Sequence, residues 1–126
     1  TIELHGERIR LDGIDAPEAS QTCTDAAGLA YRCGQQAALA LADKIGRRTV
    51  TCEQTGRDRY RRTVAICSAG GEDLAGWLVR SGHAPAYRQY SKRYVADEEQ
   101  ARAERAGLWA GEFQAPWDWR RARRQR

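Results

Sequence analysis

Cys52 and Cys67 stand at similar distances on either side of a basic turn, Asp58-Arg-Tyr-Arg-Arg62, and this symmetry constrains the fold more than any other feature of the chain. The flanking runs Thr49-Val-Thr-Cys-Glu and Thr63-Val-Ala-Ile-Cys are rich in β-branched residues and read as two antiparallel strands. The spacing favours a Cys52–Cys67 disulfide across those strands and a Cys23–Cys33 disulfide closing a loop, each stabilising by about 3 kcal/mol in the chain-entropy picture. None of the four cysteines belongs to a Cys-x-x-Cys pair, which argues against a four-cysteine zinc site. Buried free thiols are the alternative, and a thiol titration of the unreduced protein separates the two. Disulfides imply an oxidising compartment, hence a secreted or periplasmic protein.

The same periodicity argument extends to both sides. Thr1-Ile-Glu-Leu-His5 and Arg8-Ile-Arg-Leu alternate around Gly6 and predict a β-hairpin, with His5 at its turn. Pro17 biases Ala16 away from helix, leaving Asp15 and Glu18 on a turn beside the sheet. Residues 19–33 read as a loop. Ala38, Leu41, Ala42 and Ile45 form a helical stripe closed by Gly46, and Leu74, Trp77, Leu78 and Ser81 a second closed by Gly82. A third helix is expected over residues 95–106, supported by a Glu98–Arg102 pair at i, i+4. Residues 111–126 read as a Trp- and Arg-rich tail behind a domain of residues 1–110. At 126 residues the chain has room for a single core.

A net charge of +4 from 21 basic and 17 acidic residues is modest, but the arginines cluster at 57–62, 88–93 and the end of the chain, a layout that favours polyanions or forms a solvated basic surface. No window approaches the roughly 20 apolar residues of a membrane span, and the first residues lack a targeting pattern. With no methionine and a start at Thr1, the chain reads as a processed or trimmed product. Two runs carry chemistry: Arg10-Leu-Asp-Gly-Ile-Asp15-Ala-Pro-Glu18 and Asp58-Arg-Tyr-Arg-Arg62. If folding joins them, Arg10 and Arg62 could hold phosphate oxygens through their N–H forks while Glu18 takes a proton from water.

Taken in order, Arg10…Asp15-Ala-Pro-Glu18, Asp58-Arg-Tyr-Arg-Arg62-Thr-Val-Ala, Asp73-Leu…Leu78-Val-Arg-Ser-Gly82, Ala86-Tyr87 and Glu99…Gly107-Leu-Trp109 resemble the staphylococcal nuclease (thermonuclease) family over roughly residues 1–109. The resemblance implies a five-stranded OB-fold barrel with three α-helices. It implies a calcium-dependent endonuclease that hydrolyses DNA and RNA to 3′-phosphorylated products, with no membrane or protein partner and as a monomer. Carried over by position, Arg10, Glu18 and Arg62 would be catalytic, and Asp15 with the Ala16 carbonyl would bind Ca²⁺. Tyr87 and Arg61 would contact substrate, and Asp58 would order the basic turn. Three departures stand out. The family's Asp-Gly-Asp-Thr run, with a metal ligand and a barrel strand, falls ahead of Thr1. Arg61 replaces a glycine, and Gln89 replaces a second tyrosine, with Tyr90 next to it.

Each motif alone has a plainer explanation: surface ion pairs for the arginines, an ordinary turn for Asp15 to Glu18, packing for Tyr90, and surface or capping roles for His5 and His83. Trp109, Trp117 and Trp119 are expected to pack on the core or clamp the tail. The final arginines either add salt-sensitive nucleic-acid affinity or fray in solvent. The rival function is a noncatalytic OB-fold module that binds single-stranded nucleic acid or another polyanion.

Overall fold

The computed structural model describes residues 2–4 and 6–124, so the reading of His5 lies outside the described residues. The fold is mixed α+β, as expected. Strands β1 (Ile2–Leu4) and β2 (Glu7–Leu11) pair antiparallel around Gly6, whose φ of 78° suits a residue without a Cβ. The predicted loop contains a small hairpin, β3 (Cys23–Thr24) and β4 (Ala30–Tyr31), before helix α1 (Cys33–Ile45). Strands β5 (Val50–Arg57) and β6 (Thr63–Ala69) flank the basic turn, β7 (Glu72–Asp73) returns onto β6, and helix α2 (Leu74–Arg80) follows. Helix α3 (Val95–Ala103), a single 3₁₀ turn (Gly107–Ala110) and helix α4 (Pro116–Arg124) complete the described chain.

The five-stranded sheet runs β1-β2-β6-β5, with β7 also on β6. Strand β2 lies parallel to β6 (Arg10 opposite Val64), a pairing that needs a long crossover, supplied here by the 12–49 segment and β5. β6 alternates strictly: Thr63, Ala65, Cys67 and Ala69 are buried and the residues between them half-buried. With Ile9 and Leu11 of β2, Leu74, Leu78 and Val79 of α2, and Tyr94, these inward residues form the core. Each fully buried Leu or Val stabilises by about 1.5–3 kcal/mol. Asp73 caps α2, its carboxylate accepting the N–H groups of Ala75 and Gly76 at 3.1 and 3.3 Å, and Tyr94 donates its hydroxyl to the other oxygen at 2.7 Å.

Both expected disulfides are present, Cys23–Cys33 and Cys52–Cys67, and no free cysteine remains. Residues 52 and 67 sit directly opposite each other in the β5–β6 register. α1 begins at Cys33, where the loop was expected to end, and Gly34 packs closely against the Glu18 turn. Two local expectations are corrected. α3 ends at Ala103, and Glu98 reaches Arg88 rather than Arg102, whose guanidinium lies 5.0 Å from the Trp109 ring centre. The arginine-rich segment behind Pro116 is a helix, α4. No described helix is long and apolar enough to cross a membrane.

His83, half-buried beside Trp77 with ring centres 5.7 Å apart, has its pKa lowered by loss of solvent. The folded protein therefore holds it neutral, while the unfolded chain protonates it near an ordinary value of about 6.5. Its contribution is complete above that value and is lost as pH falls towards the folded pKa. His83→Phe is expected to flatten the decline in stability between pH 7 and pH 5, measured by urea unfolding; an unchanged slope would assign the decline to other groups.

Candidate active site

The site grows from the loop after β2. Asp12 donates its N–H to the Ala65 carbonyl (2.9 Å), Asp15 to Pro85 (3.2 Å), and Tyr87 returns a bond to Gly13 (2.8 Å), while Ile14 bridges Ala86. The loop is thereby clamped between β6 and the 84–87 segment. A Cβ on Gly13 would come within 2.9 Å of the Tyr94 ring, so only glycine fits there. Pro17 is buried, and the Glu18 turn is closed by Gln21: the Gln21 N–H donates to the Glu18 carbonyl (2.8 Å) and the Glu18 N–H to the Gln21 side-chain oxygen (3.3 Å). Gln21 is fully buried and its Nε2 donates to the Gln114 carbonyl at 2.7 Å, so one side chain ties Glu18 to the segment before α4.

Folding brings Arg10, Asp15 and Glu18 to one place. Asp15 is only 1% exposed, whereas the Glu18 side chain is 42% exposed. Arg10 Nη1 stands 3.8 Å from Asp15 Oδ1, and its Nη2 donates to the Ile14 carbonyl at 3.3 Å. Ala16, half-buried, lies in the same turn. Arg62 directly precedes β6, whose Thr63 is the partner of Ile9 in β2. Its Nε donates to Asp58 Oδ2 at 2.7 Å. Asp58 also accepts the N–H groups of Tyr60 and Arg62, both at 2.9 Å. Burial works to raise the Asp58 pKa, but these bonds outweigh it and hold the carboxyl below its ordinary value. Arg61 has φ 65°, the left-handed region that glycine prefers. Arginine therefore keeps here the backbone shape that a glycine would supply.

Sequence reasoning missed the residue that most changes this site. Arg120 of α4 grips Asp15 with both nitrogens, Nη2 to Oδ2 at 2.7 Å and Nη1 to Oδ1 at 2.9 Å, and Nη1 also donates to Glu18 Oε1 at 3.0 Å. The hydrogen bonds to Asp15 raise the guanidinium's pKa further, so its charge is permanent. Its sequence signal, one arginine in a run of arginines, does not distinguish it. Tyr87 stacks on Trp117 with ring centres 4.9 Å apart and planes within 6°, and Arg10 lies 5.8 Å from the Tyr87 centre. Burial, then the charge of Asp15, raises the Tyr87 hydroxyl pKa. Tyr90 meets Tyr87 edge-on at 4.7 Å yet is 74% exposed, so it packs on Tyr87 rather than into the core. Glu98 was also missed in this role: buried, it accepts the Ala86 N–H at 3.0 Å and pairs with Arg88 at 2.7 Å, fixing the segment that carries Tyr87.

Among the described residues no group of three or more His, Cys, Asp and Glu side chains converges as a metal cage. Asp15 and Glu18 nevertheless converge closely enough to share one guanidinium, and their donors are all oxygens. That set fits a hard divalent cation that completes its six to eight oxygen positions from carbonyls and water.

Residues 8–111 match the family described as Staphylococcal nuclease homologue, and the chain belongs to that family. It is 43% identical over 112 residues to the succinoglycan biosynthesis protein ExoI of Rhizobium meliloti (strain 1021), covering 86% of this chain and 59% of that protein. It is 36% identical over 129 residues to a micrococcal nuclease of Shigella flexneri, covering 91% of this chain and 68% of that protein. An uncharacterized endonuclease of Haemophilus influenzae is 35% identical over 117 residues, covering 90% of this chain and 60% of that protein. The chain thus spans about 60% of the length of two of these relatives.

Proposed function

We propose that this protein is a calcium-dependent phosphodiesterase that hydrolyses DNA and RNA with little sequence specificity and leaves 3′-phosphorylated products. The observation that carries the reading is the meeting of Arg10 at the end of β2 with Asp15 and Glu18 of the loop that follows, in a chain belonging to the Staphylococcal nuclease homologue family. Glu18, the more exposed carboxylate, takes a proton from water as the water oxygen bonds to phosphorus and the bond to the 5′ oxygen breaks, that oxygen taking a proton from solvent to leave as a hydroxyl. Arg10 and Arg62 hold the non-bridging oxygens, whose negative charge grows in the transition state. Asp15, the Ala16 carbonyl and water would hold calcium, which would supply further stabilisation of that charge. Tyr87 offers an aromatic face to a base, and Arg61 a cation to the neighbouring backbone. Nothing in this arrangement reads a base edge, which accounts for low specificity.

The two disulfides support an oxidising location, secreted or periplasmic. Digestion of single-stranded DNA and RNA with calcium, with chelator, and with calcium restored tests the reading. Cleavage is expected to stop under chelation and to resume afterwards, with 3′-phosphate ends on the products. Cutting that continues in chelator would reject calcium dependence, and binding with no cutting under any condition would favour a noncatalytic module.

A further inference from the structure

α4 covers the groups that catalysis by this site requires to be open. Arg120 occupies both oxygens of Asp15 and one of Glu18, the carboxylates assigned above to the cation and to proton abstraction. Trp117 lies parallel on Tyr87 at 4.9 Å, the arrangement a nucleobase adopts on an aromatic face. One helix therefore fills a cation position and a base position together.

The attachment of α4 is uneven along the chain. The segment leading into it is fastened by reciprocal backbone bonds between Thr24 and Glu112 (2.8 and 2.9 Å) and by Gln21 to Gln114 (2.7 Å), and Pro116 at its first turn is buried. Beyond Trp117 and Arg120, two contacts lie within the helix itself: Arg121 pairs with Asp118 at 3.6 Å and Arg123 lies 4.7 Å from the Trp119 ring centre. Residues 121–124 are exposed. A helix anchored at its start and held farther along by one ion-pair cluster and one ring stack can lift without disturbing the core. Because its anchor stays put, it remains at high effective concentration over the site.

We propose that α4 is a built-in occupant of the active site, with Arg120 standing between Asp15 and Glu18 in place of the cation and Trp117 standing on Tyr87 in place of a base. Divalent cation and nucleic acid enter by displacing it. The proposal rests on the assignment of Asp15, Glu18 and Tyr87 made under Proposed function. Displacement is feasible because a doubly charged cation replaces a singly charged guanidinium on Asp15 and beside Glu18, and Arg120 can exchange the carboxylates for a phosphate.

Arg120→Ala and Trp117→Ala separate the two halves of the contact. If α4 is docked in about 99 of 100 molecules, its release raises apparent affinity by about a hundredfold. Calcium affinity by calorimetry is expected to rise roughly ten- to hundredfold in Arg120→Ala. Affinity for a short single-stranded oligonucleotide is expected to rise in Trp117→Ala. Hydrogen exchange of the 116–124 amides, which is independent of cleavage, is expected to quicken in the parent when calcium is added and to be fast already in Arg120→Ala. Equal or weaker calcium binding by Arg120→Ala, with α4 exchange in the parent indifferent to calcium, overturns the proposal. So does loss of cleavage by Arg120→Ala at unchanged calcium affinity, which would make Arg120 a phosphate ligand. Calcium-driven release of α4 in a protein that cuts no nucleic acid would sustain this proposal while defeating the nuclease reading.

Discussion

Glu18→Gln is expected to slow cleavage of single-stranded DNA by a factor on the order of a hundred or more while leaving DNA affinity nearly unchanged. Glutamine keeps the size of the side chain and can still accept from Arg120, but it cannot take a proton from water. The backbone of the turn does not depend on the carboxylate: its bonds to Gln21 use the Glu18 N–H and carbonyl. A fall in rate at constant affinity is the signature of a group used only in the transition state. Arg62→Ala is expected to lose a similar factor, because it removes a charge stabiliser of the phosphate. It also leaves Asp58 without its 2.7 Å partner, so thermal unfolding should accompany the rate measurement. Undiminished cutting by both variants would reject this assignment of the site.

Gly34→Ala is expected to destabilise the protein by about 3 kcal/mol or more, lowering its midpoint of thermal unfolding by roughly 10 °C. Alanine would normally improve a helix, by at most about 1 kcal/mol over glycine. Here a Cβ would stand 1.6 Å from the Glu18 carbonyl oxygen and 2.5 Å from its carbon, so backbone must move. That carbonyl already accepts the Gln21 N–H, Pro17 before it is buried, and Cys33 beside Gly34 is held by its disulfide to Cys23. None of these can yield cheaply, so the clash outweighs the propensity. Calorimetry or circular dichroism reads the effect, and a variant as stable as the parent would show that the contact between α1 and the Glu18 turn is looser than described.

Much of the fold was legible because its determinants are local or symmetric. Alternation of side chains located β1, β2, β5 and β6, the helical stripes located α1 and α2, and the placement of Cys52 and Cys67 about a turn made their pairing readable before any coordinates. Helix ends were less legible: α3 stops at Ala103, short of the expected residue 106. The small β3–β4 hairpin was missed because two-residue strands have no period to detect.

For the site, Arg10, Asp15 and Glu18 could be grouped from sequence because they lie in one short run, and a strand followed by a proline-bearing turn places such a run at the edge of a sheet. Arg62 is tied to the strand that carries Arg10 only through the parallel pairing of β2 with β6, which spacing does not encode. Arg120 is 105 positions from Asp15, inside a basic segment that composition assigns equally well to solvent. Local preference therefore determined the elements, the disulfides and the carboxylate-bearing turn, because backbone sterics and side-chain periodicity act over a few residues. Tertiary packing decided which distant cation neutralises the buried Asp15, since an unpaired buried charge is too costly and its partner is selected by three-dimensional distance.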